Sequence, residues 1–167
     1  MTTRRSVLAG AASAALFRPS IAAAQNQRVL RFVPQTDLAL LDPIQTTGLV
    51  TRNHGMLVFD TLYGVDMDLK AHPQMVEGHV VENDGMLWRM TLRASLKFHD
   101  GTPVLAKDCV ASIRRWASRD AYAASMMDAV AELSAPSDTE IRFRLKRPFP
   151  LLPDVLGKPG SNICCIM

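Results

Sequence analysis

This sequence lacks the arrangements that enzymes and metal proteins need. Of its 167 residues three are cysteine, Cys109, Cys164 and Cys165, and no two have the Cys-x-x-Cys spacing of a zinc or redox site. Adjacent cysteines rarely bond each other because disulfide geometry resists it, so no disulfide framework is expected. The four histidines are His54, His72, His79 and His99. None stands four residues from another, the spacing that sets two ligands on one helix face, and no His-Glu-x-x-His occurs. Pro73 breaks any helix between His72 and His79. There is no Gly-x-Ser-x-Gly nucleophile elbow and no Gly-rich phosphate loop. No catalytic residue, metal ligand or cofactor is implied. A secreted metal-dependent enzyme, the competing class, has no pattern behind it.

Acidic residues are missing from one region. The first 24 residues hold no Asp or Glu but carry Arg4, Arg5 and Arg18. Outside them 16 basic residues face 16 acidic ones. The mild excess of positive charge therefore belongs to the N-terminus, and there is no case for a nucleic-acid surface. Long apolar runs are absent too. The run from Val7 to Phe17 has eleven residues, and a membrane span needs about twenty. A charged start, a short apolar run and an Ala-rich end make residues 1–24 a secretory signal peptide. Ala22 and Ala24 fill the small-residue positions for cleavage between Ala24 and Gln25. Thr3-Arg4-Arg5-Ser6-Val7-Leu8 resembles a twin-arginine export motif, with a plain secretory signal as the alternative.

What remains, residues 25–167, has the makings of a globular domain. Hydrophobic residues make up 48% of the sequence, enough for a core, and no repeats or low-complexity tracts interrupt it. "RVLRFVPQ" (28–35) reads as a strand, and "LDPIQTTG" (41–48) as a loop. Residues 49–62 read as a helix with an internal Gly55 and with Leu49, Asn53, Met56, Leu57 and Asp60 along one side. Two short extended pieces flank Asp66-Met67-Asp68. Asn83-Asp84-Gly85 is a strong hairpin signal, followed by Trp88, Met90 and Leu92 alternating with Arg89 and Thr91. "AKDCVASIRRWAS" draws an apolar stripe at Ala106, Cys109, Val110, Ile113 and Trp116, predicting an amphipathic helix with Cys109 in the core. "YAASMMDAV" suggests a shorter helix. A strand–turn–strand through Pro136-Ser137-Asp138 places Ile141, Phe143 and Leu145 on one face. A last helix follows the prolines of "RPFPLLPDVLG". "GSNICCIM" suggests no further element.

The order of these segments resembles one family. "LDP" after the first strand, "FDTLYGVDMDLKAHPQMVEG", "ENDGMLWRMTLRASLKFHDGTPVLAKDCVASIRRW" and "DTEIRFRLKRPFPLLPDVLGKP" are together similar to family 5 extracellular solute-binding proteins. These are periplasmic receptors of ABC importers for peptides, nickel and related ligands. The resemblance implies a mixed α/β fold of the type II periplasmic-binding-protein kind, here incomplete: the first strand of one lobe plus an inserted small domain, without the second lobe. The expectation is therefore a fragment or a truncated gene product, and in the latter case a non-functional remnant with exposed apolar surface. The implied ligand is a peptide or a related small solute, and the implied partners are permease subunits at the inner membrane. The loop after Leu41-Asp42-Pro43 would line the cleft, which makes Thr46, Thr47, Gly48 and Leu49 the candidate ligand contacts. Tyr122 is a further candidate, against plain packing. Ser95, His79 and Leu105 depart from the family pattern, where Gly, Trp and Thr or Ser are usual. Leu105 cannot cap the helix it precedes, at a cost of about 1 kcal/mol. His99-Asp100 reads as a turn joining strand to helix, with Asp100 bonding nearby amides.

Overall fold

Three consecutive residues with positive φ, Asn83 (53°), Asp84 (54°) and Gly85 (85°), turn the chain tightly back on itself. Left-handed backbone is tolerated best by Asn, Asp and Gly, so this tripeptide reverses the chain where most sequences would not. The hairpin it makes, β3 (Val76–Glu82) and β4 (Leu87–Leu92), starts a four-stranded antiparallel sheet. β5 (Val130–Ser134) and β6 (Glu140–Leu145) complete it in the order β3-β4-β6-β5. Trp88 lies opposite Phe143 and Met90 opposite Ile141, so the alternating apolar residues of both central strands form one buried face. On the opposite face Arg89 and Arg142 are direct cross-strand neighbours. Each reaches a carboxylate, Glu82 at 3.4 Å and Glu140 at 2.8 Å, which offsets the like-charge pairing.

A computed structural model describes residues 29–160 and 162–167. The leader expectations, namely residues 1–24, Arg4, Arg5, and the Ala24–Gln25 cleavage point, lie outside the described residues. The chain falls into two units, residues 1–33 and 34–167. Residues 29–35 carry no helix or strand, so among the described residues the strand expected over 28–35 is not formed.

Within residues 34–167 the element order continues as expected. α1 (Leu49–Val58) leads to a small antiparallel hairpin, β1 (Tyr63–Val65) and β2 (Ala71–Pro73), around the acidic turn. α2 (Ala106–Ala117) and α3 (Ala121–Ala129) sit between β4 and β5, and α4 (Leu152–Gly157) follows β6. α2 buries Ala106, Cys109, Val110, Ile113 and Trp116, the stripe legible in the sequence, and packs on β5, β6 and α3. Trp116 is wholly buried and its indole N–H donates to the Asn162 carbonyl at 2.9 Å.

The helix expected over 49–62 needs correction. α1 ends at Val58, and the side with Met56 and Leu57 faces solvent, those residues being 47% and 86% exposed. The buried residues of α1 are Thr51 and Gly55. Pro43 packs closely here: a Cβ on Gly55 would come 3.0 Å from its ring, so any larger residue would press helix and loop apart. As expected of "GSNICCIM", residues 162–167 form no helix or strand, but they are packed into the core. Asn162, Ile163, Cys164, Cys165 and Ile166 are all buried, and Ile166 bonds back to the Asp60 carbonyl at 2.9 Å.

Candidate ligand-facing loop

The loop expected to meet a ligand stands on an ionic and hydrogen-bonded base. Asp42 accepts the Ile44 N–H at 3.0 Å and is paired with the guanidinium of Arg115 on α2. Arg115 and the Ile44 amide hold its carboxyl below the usual carboxylate range, because donors and a cation favour the charged form. Pro43 seats on Gly55. Buried Asn162 donates to the Ile44 carbonyl at 2.6 Å and lies 3.4 Å from that of Pro43. The hydroxyl of Thr51 on α1 donates to the Leu40 carbonyl at 2.8 Å. "LDP" is thus the point where loop, α1, α2 and the 162–167 segment are pinned together.

Above that base sit the predicted contacts. Thr46 Oγ1 accepts the Gly48 N–H at 3.1 Å and shapes the turn into α1. Gly48 caps α1 without a side-chain acceptor, so the first-turn N–H groups have no side-chain partner of the kind that closes most helix starts. Thr46, Gly48 and Leu49 line a concavity of about 260 Å³ with Gln35, Asp37 and Leu40. Thr47 does not line it; it is exposed beside it.

Tyr122 lies elsewhere. It lines a separate concavity of about 460 Å³ with Leu151, Val155 and Lys158, so the structure does not bring it together with Thr46–Leu49 in one hollow. At 65% exposure it is not a packed core side chain. Beside it is a pair that sequence reasoning missed. Asp120 Oδ1 caps α3 by accepting the amides of Tyr122 and Ala123 at 3.0 Å each. Its other oxygen holds Lys158 at 2.8 Å, with the two side chains 4% and 13% exposed. The ammonium lies 5.5 Å from the Tyr122 ring centre and 6.0 Å from that of Trp116, within cation–π range. An Asp ahead of an apolar helix was a readable cap. Its partner lies on another helix's far end, and no spacing rule reaches that distance.

The largest of these hollows, about 620 Å³, contains His99, Asp100, Asp60, Lys97 and Asp108 on its rim over Met75 and Val104. His99 gains no partner there. Asp100 closes its own turn, accepting the Thr102 amide at 2.9 Å and hydroxyl at 2.7 Å, which lowers its pKa. Among the described residues no group of three or more His, Cys, Asp and Glu could hold a metal ion, and no helix is long and apolar enough to cross a membrane.

His79 and Ser95, two of the departures, have plain structural outcomes. The His79 ring packs 5.0 Å from Trp88 and hydrogen-bonds the Tyr63 hydroxyl at 2.8 Å, so one aromatic ring replaces another. Ser95 has φ of +66°, a conformation glycine adopts freely and serine does not.

The described residues thus form a mixed α/β unit, a helix-covered antiparallel sheet with the Leu41–Leu49 loop pinned to it. Solved structures agree on the fold. NikA from Brucella suis in complex with Fe(III)-EDTA matches with a TM-score of 0.67 at 20% identity, over 80% of this chain and 27% of that one. Listeria monocytogenes OppA bound to peptide matches with a TM-score of 0.62 at 20% identity, over 75% and 28%. The family model for bacterial extracellular solute-binding proteins, family 5 Middle, matches residues 70–164. The chain belongs to that family, one of binding proteins of ABC transporters and not of enzymes. Among curated relatives, a probable peptide ABC transporter periplasmic-binding protein of Sinorhizobium fredii is 37% identical over 92% of this chain. The glutathione-binding protein GsiB of Escherichia coli K12 is 24% identical over 75% of it. The chain spans 29% and 25% of the lengths of these two relatives.

Proposed function

We propose that this chain is the N-terminal part of a periplasmic receptor that captures a peptide or a related small solute for an ABC importer. The remaining lobe closes the cleft, and permease subunits at the inner membrane take the ligand onward. The observation that carries this reading is the match to a relative named as a peptide-binding component, at 37% identity over 92% of the chain. The loop chemistry supports it. Thr46 and Thr47 offer hydroxyls, and Gly48 lets a ligand backbone approach closely. The uncapped start of α1 offers amide N–H groups to ligand carbonyls or a carboxylate. Residues 1–24 supply the export signal, with Arg4-Arg5 as its twin-arginine element and cleavage before Gln25. Tyr122 is a second, outlying contact.

The test is calorimetry on the product of the full reading frame that contains these residues, against short peptides, opines and metal chelates. Tight binding of a peptide, weakened by Gly48→Val, supports the reading. Tight binding of a chelate with no response to any peptide overturns its ligand class. Since the chain spans 29% of that relative, a second reading stands beside the first. A product consisting of these residues alone holds only one wall of the cleft and shows no tight binding, because enclosure between lobes supplies the affinity.

A further inference from the structure

A nearly buried ion pair stands at the wall of an open hollow. Asp120 and Lys158 are 4% and 13% exposed and meet at 2.8 Å. Stability alone gives little reason for such a pair, since apolar residues of the same size often do as well. The two partners are not evenly committed. Asp120 Oδ1 also accepts the amides of Tyr122 and Ala123 at the start of α3, a helix end that carries roughly half a positive charge. Lys158 gives one N–H to Asp120 and another to the Gly160 carbonyl at 2.8 Å. An ammonium has three, and the third meets no acceptor among the described residues. Ammonium and helix terminus together outweigh one carboxylate, so the spot favours an anion. Asp154 also lines the hollow but is exposed, and water there weakens its field.

The hollow beside the pair has the make-up of a small-molecule site. Its volume of about 460 Å³ falls within the usual range of about 300–1,000 Å³. Leu151 and Val155 give it an apolar wall, Tyr122 an aromatic one, and Lys158 a polar anchor. Tyr122 and Leu151 are 65% and 58% exposed, two large side chains at one mouth. We propose that this hollow binds a small carboxylate with an apolar arm. The carboxylate takes the third N–H of Lys158, and the arm lies against Leu151, Val155 and the Tyr122 ring. Asp120 is a positioning residue: it holds the ammonium at the hollow and does not touch the ligand. The inference deepens the receptor reading given above, on which it rests for a small solute as occupant, and names the ligand end that the Tyr122 hollow takes.

The test is calorimetry on the product of the full reading frame that contains these residues, with N-acetyl-leucine and its neutral amide as probes. N-acetyl-leucine is expected to bind, and the amide at least about tenfold more weakly, the usual worth of a hydrogen bond to a charged group. Tyr122→Ala and Leu151→Asp change exposed side chains, so the melting temperature should hold while affinity for N-acetyl-leucine falls about tenfold or more. Lys158→Met alone strands the Asp120 carboxylate and can unfold the protein. Asp120→Asn together with Lys158→Met keeps a capping side chain and removes both charges. That double variant is expected to fold and to bind acid and amide alike. A preference for the acid that survives the double variant overturns the proposal, as does an affinity indifferent to both Tyr122→Ala and Leu151→Asp. If short peptides bind and weaken with Gly48→Val while N-acetyl-leucine does not bind, this inference fails and the receptor reading stands. If N-acetyl-leucine binds with these responses and no peptide, opine or chelate does, the receptor reading fails and the hollow keeps its assignment.

Discussion

Replacing Asn162 with Ala tests whether one buried amide holds the Leu41-Asp42-Pro43 loop. Asn162 is 8% exposed and Ile44, whose carbonyl it bonds at 2.6 Å, is 2% exposed. Truncation removes the donor and leaves that carbonyl buried without a partner. An orphaned buried acceptor costs about 1–3 kcal/mol, and with so little water access a value of about 2 kcal/mol is expected. Urea unfolding with a slope of about 2 kcal/mol/M would then show a midpoint about 1 M lower at unchanged slope. Asn162→Asp should be worse, because it sets a carboxylate against two carbonyl oxygens. The indole bond of Trp116 goes to the backbone oxygen of residue 162, so its fluorescence maximum should not move in the Ala variant. Amide exchange at Gln45, whose N–H bonds the Asp42 carbonyl at 3.2 Å, should quicken in both variants. A midpoint shift below about 0.3 M urea would refute the argument, since it would mean that water reaches the carbonyl once the amide is gone.

Three further outcomes follow from single positions. Ser95→Gly should raise stability by about 1 kcal/mol, seen as a higher melting temperature, because φ of +66° costs an L-residue what glycine does not pay. Leu105→Thr should stabilise by up to about 1 kcal/mol; Asp108 already accepts the residue 105 amide at 2.9 Å, so a hydroxyl would complete the capping box, and an unchanged melting temperature would count against it. The Asp42 carboxyl is lowered, so its pairing with Arg115 contributes fully above the ordinary value of 3.8 and is lost as pH falls below it. Arg115 is 44% exposed, so Asp42→Asn should remove at most about 1 kcal/mol, and only on the neutral side. Stability curves of the two proteins that stay parallel through the acid range would sink that assignment.

Local rules explain why much of the fold was legible. Asn83-Asp84-Gly85 can hardly do anything but turn, and the alternation of Trp88, Met90 and Leu92 needs only its own strand to be read. The stripe from Ala106 to Trp116 likewise declares its buried side through helical spacing alone. α1 resisted this reading because its buried residues, Thr51 and Gly55, are not the apolar ones. The candidate loop was singled out only through resemblance: Thr46, Gly48 and Leu49 share a hollow, but nothing in their order announces it. Lys158 and Asp120, or Arg115 and Asp42, meet across separations that carry no sequence period.

The sequence by itself determined the hairpin, most of the strand and helix pattern after residue 48 and the family, because each depends on residues near one another or on a long specific block. Tertiary structure alone decided that Pro43 seats on Gly55, that Asn162 pins the Leu41-Asp42-Pro43 loop, and that Cys164 and Cys165 are core and not loose ends. It also decided that Tyr122 stands apart from the loop. Those outcomes turn on which distant surfaces exclude water from one another, and burial of that kind is a property of the packed chain and not of any stretch of it.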